Sequence, residues 1–239
     1  MIESGTQSGA PRAGQPPAPS TAASSSPGSA GIEAWVAGWQ PEDGPLLAAR
    51  QRAREVGVGA VDPATGAALR VLVALSGARH AVELGTGAGV STLWLLRGLP
   101  PEGVLTSIDA EPEHQRLAKL SLREAGVPSG RVRLIAGRAL EVLPRLSDAG
   151  YDLMLCDASS AEAVDYLPAA LRLLRLGGVV VFHGALAGGR IADPSAREPD
   201  VLAARELARA VRAEPRLAAA LLPVGAGLLV GVRQDAPAP

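Results

Sequence analysis

The stretch Glu83-Leu84-Gly85-Thr86-Gly87-Ala88-Gly89 decides the fold, because it directly follows the first strand that the sequence predicts, Ala81–Leu84. Glycines at the carboxyl end of a strand let the backbone turn tightly and approach a ligand closely. A dinucleotide fingerprint would require a third glycine at position 90, where the chain has Val90. Asp109 ends the second predicted strand, where its carboxylate can accept hydrogen bonds from both hydroxyls of a ribose. The motif predicts a ligand site, and the competing interpretation is a plain strand-to-helix turn with an exposed aspartate.

Strands and helices alternate along the chain, which is typical of a parallel sheet with helices on both faces. The predicted strands are Ala81–Leu84, Val104–Asp109, Val132–Ala136, Tyr151–Asp157, Gly178–His183, Leu217–Pro223 and Gly227–Arg233. The predicted helices are Ile32–Trp39, Gly44–Val56, Pro63–Leu75, Ser91–Gly98, Glu113–Ala125, Ala139–Leu146, Ala163–Leu174 and Asp200–Ala213. A short glycine-containing turn joins the last two strands and predicts an antiparallel hairpin. The sequence therefore predicts an α/β fold with a seven-stranded, mostly parallel sheet.

Residues 1–30 differ in composition from the rest of the chain. Ser, Pro, Ala and Gly supply 22 of these 30 residues. Such a segment buries too little apolar surface to offset the entropy of ordering it. We therefore predict a disordered tail over residues 1–30 and one domain over residues 31–235. Within the domain, Asp62 is the predicted N-cap of an apolar helix that is expected to be buried.

The composition excludes several classes of function. The 239 residues include 23 Lys+Arg and 24 Asp+Glu, for a formal net charge of −1, which excludes the basic surface of a non-specific nucleic-acid binder. No apolar run approaches the roughly 20 residues that cross a bilayer. The single cysteine, Cys156, excludes an intrachain disulfide and a cysteine-based zinc site. We expect a cytoplasmic protein that acts on a small molecule and has no nucleic-acid or membrane partner.

Several segments, in the same order along the chain, resemble a known family. They are Val61-Asp62-Pro63-x-x-Gly66, Glu83-Leu84-Gly85-Thr86-Gly87-x-x-x-Ser91-Thr92, Leu105-Thr106-Ser107-Ile108-Asp109, Tyr151-Asp152-Leu153-x-x-x-Asp157-Ala158, Leu173-Leu174-x-x-Gly177-Gly178-Val179 and Leu222-Pro223-Val224-Gly225-x-Gly227. The E-x-G-x-G-x-G pattern with an acidic end to the second strand resembles class I S-adenosylmethionine-dependent methyltransferases. Over residues 32–233 the chain resembles their catechol/caffeoyl-CoA type of O-methyltransferase. The resemblance implies a Rossmann-like fold and S-adenosylmethionine as cofactor.

The same resemblance implies a set of cofactor-binding residues. Val61 would line the methionine end of the cofactor, Glu83 would favour its ammonium group, and Ser91 would bind its carboxylate at a helix N-terminus. Asp109 would hold the ribose, and Ala110 would lie beneath the adenine. The complete set implied is Val61, Glu83, Gly85, Thr86, Gly87, Ser91, Asp109, Ala110, Ala139 and Asp157.

The sequence departs from the family at its usual metal site. The family binds a divalent metal through an aspartate after the fourth strand and an Asp-Asn pair after the fifth, and a lysine assists deprotonation of the substrate. Asp157 matches the first aspartate, but Ser160 stands at the lysine position and His183-Gly184 at the Asp-Asn pair. The chain has no asparagine, and its only lysine is Lys119. Because Mg²⁺ prefers oxygen ligands, we predict no tightly bound Mg²⁺, with Asp193 as a possible extra ligand.

His183 and Asp157 are the candidate catalytic residues. His183 follows a central strand, where ligands bind in open α/β sheets, and an imidazole with a pKa near 6.5 can act as a general base. The alternative is a partly buried histidine that is hydrogen-bonded within its loop. His80 and His114 are interpreted as surface histidines and Cys156 as a packing residue. The tryptophans Trp35, Trp39 and Trp94 are interpreted as packing anchors, with the first two as candidate roof residues of a substrate pocket.

Three hypotheses about function follow. The first is O-methylation of a small molecule, with a phenol as one candidate acceptor that contacts Asp157, by a homodimeric S-adenosylmethionine-dependent enzyme. The second is a non-catalytic relative that binds the cofactor as a sensor or partner protein, which the missing metal ligands motivate. The third is a nicotinamide-dependent oxidoreductase, which the residue at position 90 disfavours.

Overall fold

The computed structural model describes Met1 and residues 29–235. Its helices are α1 (Ser29–Trp39), α2 (Gly44–Glu55), α3 (Pro63–Leu75), α4 (Val90–Gly98), α5 (Pro112–Glu124), α6 (Ala139–Val142), α7 (Tyr166–Leu173) and α8 (Pro199–Ala213). Its strands are β1 (His80–Leu84), β2 (Val104–Asp109), β3 (Val132–Ala136), β4 (Tyr151–Cys156), β5 (Leu174–His183), β6 (Leu217–Leu222) and β7 (Leu228–Arg233). Most of the predicted tail, residues 2–28, lies outside the described residues, so its disorder stays a prediction.

The strands form one sheet in the order β3-β2-β1-β4-β5-β7-β6. Strands β1 to β5 pair in parallel, and β7 runs antiparallel to β5 and β6. This arrangement confirms the predicted α/β fold with its C-terminal hairpin. The strand order reverses between β1 and β4, and the crevice outside the carboxyl ends of strands at such a reversal is where ligands bind in open sheets.

Two apolar layers cover the two faces of the sheet. The layer beneath α2 to α5 contains Leu46, Leu69, Trp94, Leu105 and Leu155. The layer beneath α6 to α8 contains Val82, Val142, Tyr166, Phe182 and Leu207. Because side chains alternate along a strand, each central strand contributes to both layers. The two layers fix the carboxyl ends of the strands relative to one another.

Helix α3 begins as the sequence predicts but is less buried than expected. Asp62 caps it by accepting a hydrogen bond from the backbone N–H of Thr65 at 3.0 Å. Leu69 is buried on its inner face, whereas Val71 and Leu75 are exposed. The expectation of a fully buried helix is therefore wrong, because α3 lies at the outside of its layer and turns one stripe inward.

Proline changes two predicted helices. The predicted helix Ala139–Leu146 ends at Val142 and continues as a 3₁₀ turn over Leu143–Arg145. Pro144 lies in that turn and has no N–H to donate to an α-helical hydrogen bond. The predicted helix Ala163–Leu174 begins only at Tyr166, which places Pro168 in its first turn, where no N–H partner is needed.

The N-terminal tryptophans form part of an apolar surface instead of a core. Trp94 is fully buried, as predicted, but Trp35 and Trp39 are 67% and 72% exposed. The rings of these two lie 5.3 Å apart, centroid to centroid. Their interpretation as packing anchors is therefore wrong. Within residues 29–235, no helix combines the length and apolar character needed to span a membrane.

Candidate functional site

A cavity of about 690 Å³ opens at the carboxyl ends of β1, β2 and β4. Its wall contains most of the residues that were predicted to bind the cofactor. These wall residues are Gly85, Thr86, Gly87, Ser91, Asp109, Ala110, Ala139 and Asp157. Val61 and Glu83 are not on the wall, and neither are Trp35 and Trp39.

The glycine loop passes very close to the end of β4. Gly85 has a φ of +91°, and a Cβ built on it would lie 2.2 Å from the carbonyl oxygen of Asp157. Only glycine fits this position, because any side chain would push the two loops apart. Gly89 also has a φ of +91° and occupies the N-cap of α4, against Ala118 of α5. Gly89 therefore allows the start of α4 to pack closely against α5. This packing contact accounts for a glycine at position 89 instead of at position 90 of a dinucleotide fingerprint.

Asp109 is held rigidly at the end of β2. One carboxylate oxygen accepts a hydrogen bond from the backbone N–H of Gly87 at 2.9 Å, and the other accepts one from that of Glu111 at 2.9 Å. Nδ1 of His114 lies 3.2 Å from the second oxygen. The carboxylate has about four lone-pair sites, so one remains beside these three contacts and can accept a hydrogen bond from a ribose hydroxyl. His114 lies on the cavity wall, so its interpretation as an ordinary surface histidine is wrong.

The N-terminus of α4 lies in the cavity wall without a cap. Its N-cap residue is Gly89, which has no side chain to bond the first amides of the helix. Val90 and Ser91 in the first turn are buried and lie on the wall. The first-turn N–H groups of a helix have no partners within the helix and favour an anion. A carboxylate of a ligand therefore fits this end of the cavity.

Glu83 lies behind the wall and is completely buried. Its Oε2 accepts hydrogen bonds from the hydroxyls of Thr92 at 2.7 Å and Ser107 at 2.6 Å. Within residues 29–235, no donor is in hydrogen-bonding geometry with Oε1. Burial raises the pKa of Glu83 to about 7, although the hydroxyls of Ser107, Ser91 and Thr92 lower it. A cation bound nearby would favour the ionised form of this carboxyl group.

Asp157 and His183 form a hydrogen-bonded pair at the other end of the cavity. Nδ1 of His183 lies 2.6 Å from Oδ1 of Asp157. Burial lowers the pKa of His183, but the hydrogen bond and charge of Asp157, together with the charge of Asp62, outweigh it and leave the pKa raised. Both members of the pair lie on the wall, while Nε2 of His183 is buried and has no hydrogen-bond partner among the residues that the structure describes. The histidine is therefore bonded to the end of a neighbouring strand instead of to its own loop.

The donor set at this end does not fit Mg²⁺. Asp157 and His183 point at each other, and neither Ser160 nor Gly184 supplies a carboxylate or amide. Asp193 accepts hydrogen bonds from the N–H and hydroxyl of Ser195 and lies off the cavity wall. In the described part of the chain, no three Asp, Glu, His or Cys side chains converge as a metal site would require. These residues therefore do not form a ligand set for metal-assisted deprotonation of an acceptor.

Val61, which was predicted to bind the cofactor, and Cys156, which was predicted to be a packing residue, both lie in the core. Val61 is buried, and its carbonyl oxygen accepts a hydrogen bond from Arg50 at 2.7 Å. The residues just before it, 58–60, lie on the cavity wall. Cys156 is buried within β4, as predicted, and burial raises the pKa of its thiol.

A further group on the wall consists of Arg138, Glu162 and Tyr166. Tyr166 donates a hydrogen bond to Glu162 at 2.8 Å, and Glu162 also forms an ion pair with Arg138. Arg138 and Glu162 are 24 residues apart and meet only because the loops after β3 and β4 flank the same cavity. No local motif identifies such a contact before the fold is known.

Comparisons with known proteins agree with this geometry. The family model described as O-methyltransferase matches residues 41–234. A Mycobacteroides abscessus protein with a provisional O-methyltransferase name is 55% identical over 192 residues, which cover 80% of this chain and 89% of that protein.

Two solved structures are similar as well. An O-methyltransferase from Streptomyces achromogenes, involved in tomaymycin synthesis and solved in complex with S-adenosylmethionine, is 31% identical with a TM-score of 0.78, covering 85% of this chain and 96% of that one. An O-methyltransferase from Bacillus cereus, in complex with S-adenosylhomocysteine, is 28% identical with a TM-score of 0.76, covering 84% of this chain and 97% of that one.

Proposed function

This chain belongs to the O-methyltransferase family, and from that membership we propose that it methylates a hydroxyl oxygen of a small molecule, with S-adenosylmethionine as methyl donor and without a tightly bound Mg²⁺. The observation that carries the proposal is that one cavity joins Asp109 at the end of β2 to the Asp157–His183 pair at the ends of β4 and β5. The first would hold a ribose, and the second would receive a proton.

The residues of the wall fit S-adenosylmethionine from one end to the other. Asp109 would bind the ribose, with Ala110 and Ala139 beside the adenine. The uncapped start of α4, with Ser91, would bind the methionine carboxylate. The buried charge of Glu83 would favour the ammonium group from behind the wall. The cofactor supplies, when bound, an electrophilic methyl group on a sulfonium.

The chain itself contributes alignment and the removal of a proton. A rigid cavity that holds an acceptor oxygen in line with the methyl group lowers the entropic part of the barrier. The Asp157–His183 pair would take up the hydroxyl proton of the acceptor, with Asp157 as the more exposed contact. Because the two groups share a hydrogen bond, this proton has one apparent pKa that belongs to the pair.

Binding of S-adenosylhomocysteine, measured by isothermal titration calorimetry, tests the cofactor assignment. We expect binding of S-adenosylhomocysteine and none of NAD, because the loop lacks the dinucleotide spacing and the wall is built for a ribose next to an amino-acid group. Binding of NAD alone would favour a nicotinamide-dependent enzyme. Binding of S-adenosylhomocysteine without transfer to any acceptor would favour a sensor, which family membership does not support.

We also propose a phenolic acceptor, a cytoplasmic location and a homodimer. The homodimer is supported by the exposed apolar side chains of Trp35, Trp39, Val71 and Leu75 on α1 and α3, two helices that contact each other, since exposed apolar surface of this size often marks an interface. Sedimentation equilibrium of the full chain gives the oligomeric state directly. A monomer at all concentrations would refute the dimer without affecting the chemistry.

A further inference from the structure

A chain of buried polar side chains leads from Glu83 through Thr86, which lies on the cavity wall, to Gln115 on α5. Thr86 Oγ1 and Ser107 Oγ lie 2.6 Å apart, and Ser107 donates to Oε2 of Glu83. Gln115 on α5 donates from Nε2 to Thr86 at 3.1 Å and to the carbonyl oxygen of Ile135 at 3.2 Å. All four residues are at least 95% buried, so these hydrogen bonds are shielded from bulk solvent. Glu83 on β1 is paired with Ser107 on β2 in the parallel sheet, and this pairing brings the two residues next to each other.

The far end of the chain fixes the direction of its hydrogen bonds. A backbone carbonyl oxygen only accepts, so Ile135 requires the amide nitrogen of Gln115 and not its oxygen. The same nitrogen then donates to Thr86, whose own hydroxyl hydrogen must point to Ser107. Ser107 in turn directs its hydrogen to Glu83. Every link therefore donates toward the buried carboxylate.

We propose that Gln115 is a positioning residue for cofactor binding, which holds the hydroxyls of Thr86 and Ser107 in the orientation that keeps Glu83 ionised behind the methionine end of the cavity. The inference rests on the proposed function, because it requires that the cavity binds the cofactor. Gln115 itself would not touch that cofactor. It gives Gln115 a role that the cavity wall does not reveal, because Gln115 is not part of that wall.

The charge of Glu83 needs this support because, among the described residues, the groups that shift its pKa include no cation. Asp157, at the end of β4, is the charged group that raises the pKa of Glu83 further. Asp109 at the end of β2 is also acidic, and Arg97 lies in the last turn of α4, away from the start of the helix. The hydroxyls of Ser107, Ser91 and Thr92 are the groups that lower its pKa. A neutral hydrogen-bonded chain is therefore the means by which the fold stabilises this anion.

The test is the pH dependence of S-adenosylhomocysteine affinity, measured by calorimetry from pH 5.5 to 8.5. In the wild-type protein, the affinity should rise through the pKa of Glu83, at about 7, as the carboxylate forms and attracts the ligand ammonium. The substitution Gln115→Met keeps the length of the side chain and removes its hydrogen-bond donor. The pH midpoint of the affinity should then move up by about half a pH unit, as expected when one neutral hydrogen bond weakens. His183, which lies on the wall and whose pKa is also raised, is the same in both proteins.

Two further variants make the outcome decisive. Ser121→Ala removes another buried hydroxyl of α5 that is bonded to Ala88 and lies outside the chain, so its midpoint should stay at the wild-type value. Thr86→Val breaks the chain at its middle and should raise the midpoint even if Gln115→Met does not fold. An affinity that falls equally at every pH, with an unchanged midpoint in Gln115→Met or Thr86→Val, would overturn the inference and leave the proposed function intact. A wild-type protein that does not bind S-adenosylhomocysteine would overturn both.

Discussion

The hydrogen bond of 2.6 Å between Asp157 and His183 determines what either side chain can do. The contact occupies Oδ1 of Asp157 and Nδ1 of His183, so neither atom is free to bind a metal ion. The charges of Asp157 and Asp62 raise the pKa of His183 against the opposing effect of burial. The imidazole of His183 therefore holds its proton to a higher pH than an ordinary histidine does, and it can act as a general base above its raised pKa.

Replacing His183 tests this pair. His183→Ala should lower the turnover rate by roughly 10²–10⁴-fold, the usual contribution of a general base, while affinity for S-adenosylhomocysteine is largely kept. The wild-type rate should rise with pH as the pair loses its proton, with a midpoint above 6.5 because the pKa of His183 is raised. Steady-state rates from pH 5.5 to 8.5 measure both effects. His80→Ala, at an exposed histidine, is the control, and full activity of His183→Ala would assign the base to another residue.

The second prediction for a single residue concerns Asp109 and the affinity for S-adenosylhomocysteine. Asp109→Ala should weaken binding of S-adenosylhomocysteine by about 1.5–3 kcal/mol, because a charge-assisted hydrogen bond to the ribose is lost. Calorimetry measures the difference. Asp148→Ala is a suitable control, since Asp148 is exposed and pairs with Arg172 away from the cavity. Equal affinities of Asp109→Ala and the wild-type protein would mean that the ribose is bound elsewhere.

At the scale of single elements, the glycine loop depends on one close approach. Gly85→Ala should destabilise the protein by more than about 3 kcal/mol. The alanine would have to adopt a left-handed backbone conformation, and its Cβ would clash with the carbonyl oxygen of Asp157. Cofactor affinity should fall as well, because the loop and the end of β4 must separate. Urea unfolding and calorimetry measure the two effects.

Gly77 offers a matched control for this element. It has a φ of +61°, but a Cβ built on it meets nothing within 4 Å. Gly77→Ala should therefore cost only about 1 kcal/mol, from backbone strain alone, and should leave cofactor affinity unchanged. Equal effects of the two substitutions would show that the contact with Asp157 is unimportant.

The strands and the antiparallel hairpin could be predicted from the sequence because each strand is a short apolar run bounded by turn residues, whereas the order of the strands in the sheet comes from the structure alone. The cofactor end of the cavity could be predicted too, since Gly85, Gly87 and Asp109 lie at the ends of strands that the pattern already defines. Val61 could not be placed, because one residue of difference along a connecting segment decides between wall and core. The pairing of Asp157 with His183 and the chain that ends at Gln115 depend on contacts between distant elements, which no local pattern encodes.

At the scale of the whole molecule, the domain should be independent of the segment that precedes it. Deleting residues 2–28 should leave the melting temperature and the affinity for S-adenosylhomocysteine essentially unchanged, because that segment has few apolar residues to bury. Differential scanning calorimetry and titration calorimetry of the shortened chain check this. A marked loss in either quantity would show that the segment packs against the domain.

The most direct test of the central claim is methyl transfer from labelled S-adenosylmethionine to a panel of catechols and other phenols, measured once with EDTA and once with added Mg²⁺. The cavity carries an Asp–His pair where the family's usual metal ligands would stand, so transfer should proceed at similar rates in both conditions. Transfer that occurs only when Mg²⁺ is supplied would contradict the account.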